Sequence, residues 1–321
     1  MSWSRRAAAH AAAQRVLAEV AADRRYARTS HLHLRLKGEV VVDEHLRGPL
    51  RADVFSVTKS VLSTALAVMA ARGLLPDLDR PVAEVLPPLR GTPAETHTWR
   101  QLLTMTRGAA VDVRWELDAV ASLPADHIGH LAQAPQLRSP GAEFVYDNGG
   151  PHLLSAAATE VLGESVADFA GRELFDPLGI VDYEWPTDPD GYPAGSDRLQ
   201  LTAADLASLG QLWLDGGRLN GRSLLHPPYF QQMSRAQVGG GPPEMVPYGF
   251  LLWVPDGMLL AGGWAGQHLL VIPAAGAVVV TTGDPGFDPG PPPTDQMPAD
   301  WRPALDLVRT HLLPVLLDAG A

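Results

Sequence analysis

The residues best equipped for chemistry are Ser56 and Lys59, in the run DVFSVTKSVLSTALAVMAARG (residues 53–73), and Tyr146 with Asn148, in FVYDNGG (144–150). Lys59 is the only charged residue between Asp53 and Arg72. Its i−4 and i+4 neighbours are Phe55 and Ser63, so no carboxylate shares its helical face. A lysine in the first turn of a buried helix faces both desolvation and the positive end of the helix dipole. Both favour the neutral amine, which is a general base. Ser56 sits three residues earlier on the same face, placed to be a nucleophile. First-turn N–H groups have no acceptor within the helix, so the backbone at Ser56 is suited to hold an oxyanion. An N-cap serine followed by a snorkelling lysine would carry the same letters, so the weight rests on context. Tyr146 and Asn148 add to it: a phenol and an amide on one tight turn can project together, the phenol relaying a proton, while a turn tyrosine packing on a helix would carry the same letters.

These side chains need elements to hold them. Residues 31–37 (HLHLRLK) alternate, Gly38 follows, and EVVVDEHL completes a predicted β-hairpin. Residues 56–72 are apolar nearly all round, predicting a central buried helix stopped at Gly73. From about 76 to 235 the pattern is mainly helical, with predicted helices at 98–105, 152–162, 165–174, 202–215 (N-cap Thr202) and 227–233. Strand patterns return at 248–254, 257–261, 267–272 and 277–282. A proline-rich loop spans 284–300 and an amphipathic helix is expected over 301–317. The reading is an α+β fold: an antiparallel β-sheet flanked by N- and C-terminal helices, with an inserted mainly helical domain. Residues 1–55 and 240–321 form the sheet domain and 56–239 the helical one, with the active site expected in the cleft between them.

Composition narrows the function classes. The chain has 321 residues, 46% apolar, and a formal net charge of −11. It has no clustered basic surface, which speaks against nucleic acid and against anionic membranes. There is no cysteine, hence no disulfide, thiolate metal site or thiol nucleophile. Arg5-Arg6 hint at an export signal, but His10, Gln14, Arg15 and Glu19 interrupt the run that would have to be apolar, so an amphipathic alanine-rich helix and a cytoplasmic protein are expected. The His31-x-His33 pair lies on an alternating strand with no acidic set nearby, so no metal is expected. No Gly-x-Ser-x-Gly occurs, which argues against an α/β-hydrolase elbow. His152 is read as structural, and the role of His268 stays open.

At this point the chain resembles a known family. DVFSVTKSVLSTALAVMAARGLLPDLDRPVAEVLPPL looks like the nucleophile helix of class C β-lactamase-like serine hydrolases. TWRQLLTMTRG is similar to their next helix, YDNGGPHLLSAAATEVLG to their Tyr-x-Asn region, and LTAADLASLGQLWLDGGRLNGRSLL to a later block. The resemblance runs in order over roughly residues 31–283. It departs from the β-lactamase pattern at Ala261-Gly262-Gly263, where that pattern carries Lys-Thr-Gly or His-Thr-Gly. The form LAGGWAGQ instead resembles the branch of 6-aminohexanoate-dimer hydrolases and carboxylesterases. The resemblance implies Ser56, Lys59 and Tyr146 as the catalytic set, with the backbone N–H groups of Ser56 and Trp264 as the oxyanion hole. Asn148 would orient Lys59 or the substrate, and Gly262 and Gly263 the substrate, a small ester or amide, with no cofactor. An acyltransferase, a β-lactamase or DD-peptidase, and a non-catalytic binding protein of the same fold stay open. Oligomeric state is not readable from the chain.

Overall fold

The computed structural model describes residues 3–287 and 299–318. The chain divides into two compact units. The first contains the residues up to Val57, Gln200–Asp215 and the chain from Gly257 onward. Its centre is a five-stranded antiparallel sheet in which Glu39–His45, Thr29–Leu36, Ala277–Gly283, Gln267–Ile272 and Leu259–Gly263 lie side by side in that order. The strands are β1 (Thr29–Leu36), β2 (Glu39–His45), β9 (Leu259–Gly263), β10 (Gln267–Ile272) and β11 (Ala277–Gly283). Lys37 and Gly38 close the β1-β2 hairpin, both at positive φ (51° and 81°). That is the two-residue turn whose twist matches the strands it joins.

Both faces of this sheet are covered, so β10 is buried along its whole length. On one side packs α1 (Trp3–Ala22), through the stripe Ala9, Ala12, Ala13, Val16 and Val20. On the other packs α9 (Ala203–Leu214), capped by a reciprocal Thr202–Asp205 hydrogen-bonded box. A Cβ on Gly210 of α9 would lie 2.6 Å from both Leu269 and Val278, so only glycine permits this closeness. Arg35 reaches Ser208 of α9 at 3.4 Å. By strand alternation His33 and Arg35 therefore face α9, and Leu32, Leu34 and Leu36 face the other way. A short ladder pairs β3 (Arg51–Asp53) with β4 (Gln200–Thr202).

The second unit comprises Thr58–Leu199 and Gly216–Asp256. It holds α2 (Val57–Ala71) beyond its first residue, then α3 (Trp99–Leu103), α4 (Leu117–Ala121), α5 (His127–Ala132) and α6 (Gly149–Leu162). After them come α7 (Val166–Ala170), α8 (Asp176–Leu178) and α10 (Pro227–Met233). Two small hairpins join it, β5 (Arg218–Leu219) with β6 (Arg222–Ser223) and β7 (Val238–Gly241) with β8 (Val246–Tyr248). From Val57 to Met69, α2 exposes no side chain, as its all-round apolar pattern requires.

Four expectations change. Residues 200–215, read with the helical region, pack on the sheet, because the apolar face of α9 matches the aliphatic face of β10 and β11. Residues 240–256, read with the sheet, belong to the other unit. Within them the strand expected over 248–254 stops at Tyr248, since Phe250, Leu251, Leu252 and Trp253 are all buried and the chain turns at Leu251 (φ 52°). The C-terminal helix is split into α11 (Leu305–Leu307), a π turn (Val308–Leu312) and α12 (Leu313–Leu317). A second π turn, Gly171–Phe175, links α7 to α8. Each π turn precedes a proline, Pro314 or Pro177, whose missing N–H and bulky ring rule out the regular bond to the residue four back. Most of the proline-rich loop, 288–298, lies outside the described residues. Among the described residues, no helix is long and apolar enough to cross a membrane.

Candidate active site

The turn from β3 into α2 carries Ser56. Asp53 Oδ1 accepts the Phe55 N–H at 2.6 Å, and the Val54 carbonyl accepts the Val57 N–H at 3.1 Å. Between them Phe55 stands at φ 46°, a left-handed conformation that costs a β-substituted residue about 1–2 kcal/mol. Such strain gathers where a side chain must be presented in one direction. Here it sets half-buried Ser56 immediately before α2.

The end of β9 lies against this turn. A Cβ on Gly263 would stand 2.5 Å from the Val54 carbonyl oxygen and 3.3 Å from the Ser56 backbone nitrogen, so the two backbones approach as only glycine allows. Trp264 follows, half exposed, with its ring edge-on to Phe55 at 5.2 Å. Ala265 (φ 59°) and Gly266 (φ 90°) then turn the chain into β10. Gly262 pairs with His268 across the β9-β10 ladder. Ala261 is wholly buried and offers no cation.

Lys59, the third residue of α2, is 1% exposed. Its Nζ donates to the Ser196 carbonyl at 2.9 Å and lies 5.1 Å from the centre of the Tyr146 ring, within cation–π range. Tyr146 stacks on Trp253, rings 9° from parallel. Buried Tyr248 is edge-on to the same indole. Burial, with the nearby Tyr146 and Asp147, pushes the Tyr248 phenol well above its ordinary value, so it stays neutral. Asp147, between the two residues singled out by sequence, fixes the turn. Its carboxylate receives Nε and Nη2 of Arg107 and the N–H groups of Gly149 (2.8 Å) and Gly150 (3.0 Å). Both side chains of this ion pair are 2% exposed, so removing either would strand a buried charge at about 3–5 kcal/mol. With Asp147 capping α6, the Asn148 side chain makes no cap bond and borders a pocket with Ser196 and His152.

Sequence reasoning missed Ser196, Asp188 and the use of His152. His152 Nε2 bonds Asp188 Oδ2 at 2.8 Å, and its Nδ1 accepts the Gly195 N–H at 3.3 Å. The hydrogen bonds from His152 and the Tyr192 N–H outweigh burial and hold the Asp188 carboxyl below its usual value. Lys59 and Ser196 are 137 residues apart, and a backbone carbonyl leaves no mark in composition or spacing. Asp147 and Arg107 were legible only as an Asp in a turn and a distant Arg.

The other histidines resolve as follows. His31 Nε2 and His33 Nδ1 both meet Asp43 Oδ1, at 2.6 and 2.9 Å, so an acidic partner does stand beside them, on β2, where the sequence showed none nearby. Arg35 Nε donates to His33 Nε2 at 3.3 Å, leaving the ring proton on Nδ1 toward Asp43. Burial lowers the His33 value, in keeping with a neutral ring. His268, buried in β10, is pushed down to about 4 by burial, so it is neutral at physiological pH.

A family model described as Beta-lactamase matches residues 23–292. The 6-aminohexanoate-dimer hydrolase of Paenarthrobacter ureafaciens is 24% identical over 286 residues, covering 76% of this chain and 70% of that one. The solved structure of a family VIII carboxylesterase superposes with a TM-score of 0.74 at 16% identity, over 96% of this chain and 97% of its own. That of EstCE1, a hydrolase with promiscuous acyltransferase activity, gives 0.73 at 19% identity, over 94% and 99%. The fold is the β-lactamase/transpeptidase-like fold, in which helices accompany an antiparallel sheet.

Proposed function

The chain belongs to the beta-lactamase family, a family of hydrolases, and from that premise we propose that it cleaves ester or amide bonds of a small molecule through an acyl-enzyme at Ser56. One observation carries the reading. Lys59 is wholly buried on the helix that begins just after Ser56, its amine aimed by a carbonyl and faced by the Tyr146 ring. A cation serving only solubility would be at the surface.

In this mechanism Lys59 takes the Ser56 hydroxyl proton as Oγ attacks the substrate carbonyl carbon. The carbonyl oxygen becomes an oxyanion received by the N–H groups of Ser56 and Trp264, which the contact of Gly263 with the Ser56 turn would bring together. The C–O or C–N bond breaks, and the alcohol or amine leaves with a proton passed through Tyr146. Water then attacks the acyl-Ser56 carbonyl, giving its proton to the same relay, and the acid departs as Ser56 is restored. Asn148, freed from capping α6, orients the substrate. The chemistry uses no cofactor.

A second reading, transfer of the acyl group to an alcohol or amine in place of water, is favoured by the similarity to a hydrolase with acyltransferase activity. The test is a panel of p-nitrophenyl acetate and butyrate, linear amides and benzylpenicillin, with and without added alcohol. We expect ester or amide turnover that Ser56→Ala abolishes. Turnover unchanged in Ser56→Ala, or none on any substrate, would refute the proposal. Products carrying the added alcohol would select the transferase reading.

A further inference from the structure

The amine of Lys59 has to be aimed, and one group that aims it is a backbone carbonyl in a loop. Ser196 lies in the segment 193–196, which is fastened at successive points to α6 and to Trp185. Ser155 Oγ donates to the Pro193 carbonyl at 2.6 Å. The Ala194 carbonyl accepts from Trp185 Nε1 at 2.7 Å. Gly195 presses its backbone onto the first turn of α6, where a Cβ would stand 2.2 Å from the Pro151 carbonyl oxygen. At that contact the Gly195 N–H is received by His152 Nδ1.

A ring nitrogen that accepts an N–H must hold its lone pair there, so the histidine proton is on Nε2. Nε2 donates it to Asp188 Oδ2, and the other oxygen of that carboxylate accepts the N–H groups of Asp190 (2.9 Å) and Tyr192 (2.8 Å). Asp188 is itself buried and fixed, so it can select one tautomer and one orientation of the ring. The chain of contacts runs Asp188, His152, the Gly195 N–H, the Ser196 carbonyl, and Lys59.

We propose that His152, oriented by Asp188, is a positioning residue that sets the Ser196 carbonyl against the Lys59 amine, and so orients the catalytic base. This rests on the serine–lysine reading above. It gives the buried histidine beside the Tyr-Asp-Asn turn a role in the reaction. It also says which of its two nitrogens matters: the acceptor toward Gly195.

Two substitutions separate the nitrogens. His152→Asn places an amide oxygen where Nδ1 stands and keeps the acceptor for Gly195 while giving up Asp188. His152→Gln keeps a donor for Asp188 and gives up the acceptor. His152→Leu removes both. The ties through Ser155 and Trp185 are untouched in all three. The readout is kcat and KM on p-nitrophenyl butyrate, expressed per site titrated with a fluorophosphonate, so that any unfolded fraction drops out. We expect His152→Asn to keep kcat within about threefold, and His152→Gln and His152→Leu to lose about 10- to 100-fold in kcat with KM little changed, as a misplaced catalytic group does. If Gln is the active variant and Asn the impaired one, His152 merely anchors the Asp188 loop and the proposal fails. Equal behaviour of all three, active or inactive, overturns it too. An inert wild type, or a wild-type rate that survives Lys59→Ala, would remove the serine–lysine reading and this inference with it. A rate lost in Lys59→Ala, with the His152 variants in the wrong order, removes this inference alone.

Discussion

Gly263→Ala is a sharp test of where the oxyanion is held. The residue is extended (φ −134°, ψ 157°), so alanine incurs no backbone strain there and the effect is purely one of space. The new methyl would stand 2.5 Å from the Val54 carbonyl oxygen, 3.1 Å from the Gln267 Cβ and 3.3 Å from the Ser56 nitrogen. To reach ordinary contact, the end of β9 and the Ser56 turn must separate by roughly 1 Å, and a displacement of that size at reacting groups costs up to about 100-fold. Loss of one oxyanion donor alone costs about 100- to 1,000-fold. Overpacking a single methyl destabilises by about 1–3 kcal/mol, which leaves a domain of this size folded. The assay is kcat and KM on p-nitrophenyl butyrate, with a thermal unfolding curve for each protein. The expected result is a fall of at least about 100-fold in kcat, a modest loss of thermal stability and KM within a few-fold of the wild type. A variant that keeps kcat within threefold while folded would place the oxyanion hole elsewhere.

Other outcomes follow from the same geometry. Lys59→Arg should lose nearly as much activity as Lys59→Ala, since guanidinium keeps its proton and cannot serve as a base; retention of most of the rate would make Lys59 an electrostatic anchor. Benzylpenicillin should be turned over far more slowly than short esters, because Ala261 is buried and offers no charged grip on the carboxylate, a deficit of about 1.5–3 kcal/mol or roughly 10- to 150-fold; the opposite ranking would contradict the esterase-like reading. His268, pushed from 6.5 to about 4, makes stability depend on pH. Its contribution is complete above pH 6.5 and is lost as pH falls toward about 4, because the unfolded chain takes up a proton that the folded one refuses, to a total of about 3 kcal/mol. Urea unfolding of His268→Gln at pH 7 and pH 4.5 should therefore show a shallower fall than the wild type, and an unchanged slope would disprove the assignment.

How far the sequence led depended on the range of the interactions. The elements legible in advance were those with a local cause: α2 from its all-round apolar run, α9 from Thr202 as N-cap before AADLASLGQLWL, and β10 over the very residues expected. The hairpin β1-β2 followed from alternation broken by Gly38. What failed was set by partners far away in the chain. Phe250 to Trp253 read as a strand because they are apolar, yet they are buried in turns, with Leu251 N–H bonded to Leu103. Nothing in residues 200–215 says which layer their helix will cover. At the site, Ser56, Lys59, Tyr146 and Asn148 stood out because unusual side chains occupy an apolar or tightly turned context. Asp147, Ser196 and His152 did not, since their roles lie in an ion pair to Arg107, a carbonyl, and a ring nitrogen turned to a backbone amide.

The central claim is that Ser56 is the acylated nucleophile, and covalent labelling tests it directly. The protein should be incubated with a fluorophosphonate, digested, and the modified peptide located by mass spectrometry. One adduct is expected, on Ser56, formed at a rate that falls sharply in Lys59→Ala and absent from a folded Ser56→Ala variant. An adduct on any other residue, or equal labelling of Ser56→Ala, would contradict it.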